Sequence, residues 1–184
     1  MKRIFYLSFL LIFFLGYLNA ATSKFLIKTG PLFAHDEILI MSESYFELSP
    51  FISKGKLNFA FRLQEDSFDG FFWGDNTRWA FKAMPQFKTK SATFAFGPGL
   101  SLSSSFSLKN QISVDTYLYL RWKSLFLEID SMFFKDGSFH KNSIGFEFRI
   151  KKWALLFCFS GLLNLGNEDI FYFPSLMAGT SYEF

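Results

Sequence analysis

The chain has 184 residues and a small formal net charge of +3, and half of its residues are hydrophobic. This length fits one domain, and the absence of a strongly basic stripe argues against a nucleic-acid partner. Cys158 is the only cysteine, which excludes an intrachain disulfide.

The first twenty residues have the pattern of a secretory signal peptide. Lys2 and Arg3 give a positive start, and Ile4 to Leu15 form an apolar segment that is too short to span a bilayer. Ala20 and Ala21 offer a cleavage region. We therefore expect residues 1–20 to be a signal peptide and residues 21–184 to form the mature domain, with an uncleaved anchor helix as the alternative.

Alternation of apolar and polar residues predicts ten strands in the mature chain. The alternation is clearest over 111–122 and recurs over 56–64 and 143–150. The candidate strands in chain order are 24–33, 39–52, 56–65, 77–88, 91–107, 112–122, 125–134, 141–150, 153–163 and 170–184. Pro31 and Pro85 weaken the first and the fourth of these strands, so eight strands are the alternative.

The same pattern predicts the fold class. After residue 20 no apolar run reaches the roughly 18 residues that a transmembrane helix needs. High apolar content without such runs favours an all-β fold, namely a closed antiparallel up-and-down transmembrane β-barrel with apolar faces toward lipid and polar faces toward the lumen. An even number of strands places both termini on the periplasmic side. A soluble β-sandwich is the alternative.

Short turns connect the strands at one end of the predicted barrel. The predicted two-residue turns are Lys54-Gly55, Thr89-Lys90, Lys123-Ser124 and Lys151-Lys152. The residues that flank such a turn pair directly and share a face. This rule pairs Trp122 with Leu125, Ile150 with Trp153 and Phe87 with Ala92, and all of these pairs keep the two faces consistent. At the opposite end, only the connection over 66–76 is long.

The chain ends in Phe184, and Tyr182, Thr180, Ala178 and Leu176 precede it at every second position. With the signal peptide and the alternating strands, this terminus resembles the small outer-membrane β-barrel proteins of bacteria, in which a terminal Phe serves as an assembly signal. The resemblance implies a location in the bacterial cell outer membrane, contact with membrane lipids and assembly by the outer-membrane insertion machinery. It implies no substrate.

Aromatic and charged residues are sorted along the predicted barrel axis. Tryptophan prefers a membrane interface because its ring is apolar and its N–H can form a hydrogen bond. The expected interface aromatics are Trp73, Trp79, Trp122, Trp153 and Phe184. The periplasmic turns hold lysines without acids, whereas acids dominate the outer connections. Ordinary solvated loops are the favoured interpretation of this asymmetry. The alternative is that the lysines contact anionic lipid headgroups or cell-wall polymers while the acids form an outer surface for cations or basic partners.

Charged residues on the polar faces predict a filled lumen. Arg121, Glu128, Asp130, Glu147 and Arg149 are expected to form a paired ionic cluster, with Arg121 beside Glu128 on the diagonal between neighbouring strands. Small barrels fill their interior in this way because a buried charge without a partner is costly. A narrow pore, in which these charges select the solute, is the alternative.

The sequence does not predict catalysis, a cofactor or a metal site. Small outer-membrane barrels include lipid A deacylases with a Ser/His pair and palmitoyltransferases with a His. His140 lies close in sequence to Ser138 and Ser143, but Ser143 is expected to face the lumen and His140 to face lipid. The favoured interpretation is therefore a rim histidine. The segment His35-Asp36-Glu37 lacks the ligand spacing of a tight cation site.

The leading hypothesis is a non-enzymatic outer-membrane β-barrel with a structural or surface-interaction role and a polar, plugged lumen. Residues 66–76, which join turn residues to aromatics, are the expected surface for an extracellular partner. The first alternative is a porin-like narrow channel for small solutes or lipidic nutrients. The second is a lipid-modifying outer-membrane enzyme.

Overall fold

The computed structural model describes residues 22–34, 37–49, 57–68, 77–103, 111–135, 137–166 and 170–184, and within them the chain forms ten strands. The strands are β1 (Thr22–Phe33), β2 (Ile38–Ser49), β3 (Leu57–Ser67), β4 (Thr77–Lys88), β5 (Ala92–Ser103), β6 (Gln111–Trp122), β7 (Leu125–Phe134), β8 (Gly137–Ile150), β9 (Trp153–Gly166) and β10 (Ile170–Glu183). The predicted signal peptide lies outside the described residues. No helix in the described part of the chain is long and apolar enough to cross a membrane.

The ten strands form one closed barrel in which each strand pairs with its neighbours in sequence and β1 pairs with β10. Lys24 lies opposite Glu183 at this seam, and the backbone N–H of Phe184 extends it by donating to the carbonyl of Ser23 at 2.9 Å. The predicted closed, antiparallel, up-and-down architecture is confirmed, and the eight-strand alternative is wrong. We call the end with the connections at 123–124 and 151–152 the turn end, and the opposite end the loop end.

The prolines do not end their strands, because each interrupts the hydrogen-bond ladder on one side only. The ladder between β1 and β10 has a gap at Gly30 and Pro31, where the Ser175 hydroxyl donates to the Pro31 carbonyl at 2.7 Å. The ladder between β4 and β5 has a gap over 83–85. Each proline stays in register with the strand on its other side. A missing N–H thus breaks one ladder locally without opening the barrel.

The turns at 123–124 and 151–152 have the predicted register, with their flanking residues paired directly. Lys123 and Lys151 open these turns at φ values of 54° and 58°. Positive φ fits the right-handed twist of a hairpin but is unusual for a residue with a Cβ. The predicted turn at 54–55 lies outside the described residues.

The predicted turn at Thr89-Lys90 is wrong by one residue. The backbone N–H of Thr89 donates to the carbonyl of Ala92 at 2.7 Å, and Phe87 lies opposite Phe94 instead of Ala92. The two candidate partners of Phe87 are two residues apart and share a face. Face consistency therefore could not distinguish the two registers.

The barrel is inside-out: large apolar side chains cover its outer wall, and most of its buried polar side chains lie inside. At the turn end Trp122 and Trp153 are exposed, and the Trp153 and Phe184 rings both contact Tyr182, with centroid distances of 4.7 and 4.9 Å. Trp79 is half-buried in the outer wall of β4, and Trp73 lies outside the described residues. A belt of aromatic side chains at one rim is typical of a membrane β-barrel.

A depth-dependent arginine scan on β8 tests the lipid-facing wall. Phe146 and Ile150 are both exposed on the outer face, with Ile150 at the turn end and Phe146 four residues deeper. We expect Phe146→Arg to lower the free energy of unfolding by about 2–4 kcal/mol and Ile150→Arg by at most about 1 kcal/mol, because hydrocarbon surrounds only the deeper position. A urea titration in lipid vesicles measures both. Equal effects of the two substitutions would contradict a membrane-facing wall.

Candidate functional site

The interior of the barrel is occupied by side chains that project from the strands. Charged groups from β1, β2, β3, β4, β6, β7 and β8 meet there in a central network of five cations and six carboxylates. The members of the central network are Lys28, Arg62, Arg78, Lys82, Lys141, Glu43, Glu47, Asp66, Asp115, Glu128 and Asp130. Near balance of charge is required here, because an unpaired charge in a dry interior costs several kcal/mol.

Arg78 on β4 joins three aspartates near the loop end of the central network. Its guanidinium donates to Asp130 through two nitrogens, at 2.9 and 3.1 Å, and to Asp115 at 2.6 Å and Asp66 at 3.1 Å. Lys82, two inward positions below Arg78, contacts Asp130 at 2.5 Å. A planar guanidinium suits this role because its fixed fork can hold several carboxylates at once.

Two lysines connect opposite walls of the barrel. Lys28 on β1 contacts Glu128 on β7 at 3.0 Å and Glu43 on β2 at 2.9 Å. Lys141 on β8 contacts the same Glu43 at 2.9 Å and Asp66 on β3 at 2.6 Å. The exposed fractions of the two lysine side chains are 1% and 0%. These bridges therefore cross the lumen at a level where the side chains are buried.

Arg62 on β3 forms the next layer toward the turn end. Its guanidinium lies between the rings of Tyr45 and Tyr117, at 3.8 and 4.5 Å from their centroids. It donates to Glu47 at 2.8 Å and to the Tyr117 hydroxyl at 2.5 Å, and that hydroxyl donates to Glu128 at 2.8 Å. Stacking and hydrogen bonding together fix the orientation of this cation.

The structure divides the predicted ionic cluster into two groups. Glu128 and Asp130 belong to the central network, whereas Arg121, Glu147 and Arg149 lie nearer the turn end. Arg149 and Glu147 form an ion pair, and Arg121 lies 4.0 Å from Glu147. We call these three residues, with Lys24, Lys88 and Glu183, the turn-end group.

The predicted diagonal pair of Arg121 and Glu128 is wrong. Arg121 instead donates to the Thr93 hydroxyl and the Lys123 carbonyl, both at 3.0 Å. Glu128 is held by cations from β1 and β3, which are remote in sequence. The predicted cross-strand positions of Tyr119 opposite Glu128 and of Tyr117 opposite Asp130 are confirmed.

Apolar side chains fill the interior above the central network, toward the loop end. The Phe68 and Phe139 rings meet edge to face with centroids 5.5 Å apart. We call the buried residues of this layer the loop-end plug; they are Leu32, Met41, Phe68, Met132, Phe139 and Leu162. The sequence predicts an outer loop over 66–76, and this is wrong for Asp66 and Phe68. Asp66 lies in the central network and Phe68 in the plug. Residues 69–76 lie outside the described residues.

Solvent enters the interior at the turn end. Lys88 and Glu183 are 3.6 Å apart there, with side chains 38% and 33% exposed. A cavity of about 20 Å³ opens at this mouth and reaches inward to Lys24, Glu47 and Gln86. A space of this size holds about one water molecule. Among the described residues, no group of three or more His, Cys, Asp or Glu side chains is placed to hold a metal ion.

Sequence reasoning missed most of the central network. Five of the missed residues occupy inward positions of strands in which apolar and polar residues alternate: Lys28, Glu43, Lys82, Asp115 and Lys141. The two-residue period was therefore enough to predict which face of the strand each of them occupies. What the period does not give is the partner of each charge, because the partners lie on opposite walls.

Ser143 and His140, which were considered as a catalytic Ser–His pair, have the orientations predicted for them. Ser143 faces the lumen, where its hydroxyl lies 2.7 Å from that of Ser160. His140 is on the outer face of β8, between the lumen-facing residues Phe139 and Lys141. His140 therefore cannot act as the base for Ser143.

No family model matches this chain, and no curated protein matches it. Among solved structures, Neisserial surface protein A matches over 89% of this chain and 96% of its own, with 13% sequence identity and a TM-score of 0.36. This is a likeness of overall barrel architecture, and no residue role is transferred from that protein.

Removal of one buried carboxylate tests the central network. Among the described residues, Asp130 is the only carboxylate in an ion pair with Lys82. We expect Asp130→Ala to lower the free energy of unfolding by roughly 3–5 kcal/mol, because it leaves that ammonium buried without a counter-charge. Lys88→Ala at the solvated mouth is the matched control and should cost about 1 kcal/mol or less. Urea titrations in detergent micelles measure both, and a small effect at Asp130 would mean that the interior is hydrated.

Proposed function

We propose that the protein is a bacterial outer-membrane β-barrel with a structural or surface-interaction role and a closed interior. The observation that carries this proposal is the set of buried ion pairs that cross the lumen between opposite walls. A solute on the barrel axis would have to separate Lys28 from Glu128 and Arg78 from Asp130. Breaking buried pairs of this kind costs several kcal/mol each.

The outer-membrane location is supported by the physics of the wall. A closed barrel leaves no unpaired strand edge, and apolar side chains cover its exterior. The turn end suits the periplasmic side because both ends of the described barrel chain lie there and its turns are short. In this orientation membrane lipids are the main contact, the final strand is presented to the insertion machinery, and the loop end is available to extracellular partners.

The narrow-channel alternative receives less support from the interior. A pore needs small side chains on the inner face, and Ser101 and Gly145 are small residues at inward positions. The Ser101 hydroxyl donates to Asp115 at 2.8 Å, and a side chain added at Gly145 would meet the Cys158 Cβ at 2.5 Å. The space beside these two small residues is therefore filled by neighbouring side chains and does not form a pore.

Conductance separates a closed barrel from a channel. We expect the unmodified protein to give no resolved conductance steps in planar bilayers. Removing one cross-wall pair together with the two rings of the loop-end plug, as in Lys28→Ala and Glu128→Ala with Phe68→Ala and Phe139→Ala, should introduce ion passage without changing the net charge, because it clears both the ionic and the apolar barrier. The matched control removes the Lys88 and Glu183 pair at the mouth and should stay silent. Steady conductance of the unmodified protein would contradict the closed interior.

Surface labelling tests the orientation. The native Cys158 is buried in the lumen, so a single added cysteine can be labelled selectively. Lys135 lies exposed at the tip of a loop-end hairpin, and Lys152 lies exposed in a turn-end turn. We expect a membrane-impermeant maleimide to label Lys135→Cys on intact cells and Lys152→Cys only after the outer membrane is opened. The reverse pattern would mean that the barrel has the opposite orientation in the membrane. If neither cysteine is labelled in lysed cells, the exposure of these two positions is contradicted.

A further inference from the structure

A hydrogen-bonded polar site lies on the outer wall near the loop end, where no lumen packing explains it. The His140 Nε2 atom is 2.8 Å from the Ser138 hydroxyl on the same strand, and its Nδ1 atom is 2.9 Å from the Ser131 hydroxyl on β7. Ser131 lies directly opposite His140 in the register. We call these three residues the outer-wall site.

Most neighbours of the outer-wall site are apolar; the polar ones are Thr116, which lies opposite Ser131 in the register, and Asn142, which is exposed on the same face of β8. Val114, Phe133, Ile144 and Leu165 are exposed on the same face, and the Phe133 ring meets the His140 ring edge-on with centroids 5.8 Å apart. Polar side chains on a lipid-facing wall are costly and usually functional. Both nitrogens of this imidazole are engaged, which fixes its orientation.

The arrangement has the parts of an activated nucleophile. With the proton on Nδ1, His140 donates to Ser131, which is only 7% exposed, and its Nε2 accepts from Ser138, which is half-buried. The nucleophile thus lies on the accessible side of the imidazole and the orienting group on the protected side. A nucleophile, a base and a third group that orients the base are what acyl transfer requires.

The depth of the outer-wall site indicates its substrate. Ten residues separate His140 from Ile150 at the turn end, which is about 33 Å along a strand and, at a tilt of roughly 40°, about 25 Å along the barrel axis. That height matches the apolar band of a membrane barrel. His140 therefore lies where acyl chains join their headgroups in the leaflet at the loop end.

From this geometry we infer that Ser138, His140 and Ser131 form a hydrolytic site for acyl esters of membrane lipids in the loop-end leaflet. The Ser138 oxygen attacks the ester carbonyl while its proton passes to His140 Nε2. The carbon–oxygen bond to the lipid alcohol breaks, and the alcohol leaves with that proton. Water, deprotonated by the same imidazole, then cleaves the acyl-serine and releases a fatty acid. Ser131 is a positioning residue for His140. This activity goes beyond the proposed structural role.

The test uses the purified full chain in two kinds of vesicle, one of phosphatidylglycerol and one containing lipopolysaccharide. Mass spectrometry measures the released fatty acid, and a long-chain fluorophosphonate probes the nucleophile directly. We expect release in at least one vesicle type and a probe adduct on Ser138. Ser138→Ala and His140→Gln should each lower release by about a hundredfold or more, as expected when a nucleophile or its base is lost. The vesicle type that reacts identifies a glycerol-linked or a sugar-linked ester.

Two controls separate catalysis from folding. Ser143→Ala removes a hydroxyl from the inner face of the same strand and should leave release and the adduct unchanged. Ser131→Ala should slow adduct formation while Ser131→Thr, which keeps a hydroxyl, restores it. Heat-modifiability on gels confirms that each variant is folded. The inference is overturned if the unmodified protein releases no fatty acid from either vesicle type, if no adduct forms on Ser138, or if folded Ser138→Ala keeps the original rate.

Discussion

The outer wall of the barrel is apolar, so the charges of the strands lie inside, and the rest of the structure follows from this constraint. A residue that does not belong to the apolar wall must face the lumen, because a strand offers only two faces. Ten strands enclose a lumen that their inward side chains can fill. Cations and carboxylates that arrive there from different strands must pair with one another, since little water remains to solvate them.

The pairing crosses the lumen, so the barrel is tied together by more than its backbone ladders. Lys28 holds carboxylates on β2 and β7, and Lys141 holds carboxylates on β2 and β3. These ion pairs connect β1 to β7 and β8 to β2 and β3, which are not neighbours in the barrel. The apolar loop-end plug closes one side of this network, and among the described residues the ion pair at the turn-end mouth is exposed to solvent. The exposure of the ion pairs therefore decreases along the barrel axis, from the turn-end mouth to the middle of the lumen. The position of each residue on its strand determines how exposed its ion pair is.

A closed interior moves any activity to the wall and the rims. The outer-wall site is the one place in the described barrel where a histidine lies on the apolar outer face. The two faces of β8 therefore have separate tasks. Lys141 and Glu147 on the inner face belong to the filling of the lumen, whereas Ser138 and His140 on the outer face are available to the membrane.

The sequence by itself determined the strands and their faces, because a two-residue period is local information that any contiguous segment carries. It also placed Trp122, Trp153 and Phe184 at one rim and oriented His140 and Ser143 correctly. It did not determine the register at Thr89, since a shift of two residues preserves both faces, nor the survival of β1 and β4 through Pro31 and Pro85. Only the closed barrel decided which charges meet: Glu128 is held by Lys28 and Arg62 instead of Arg121, because contacts across a lumen depend on strand tilt and closure, which no local pattern encodes.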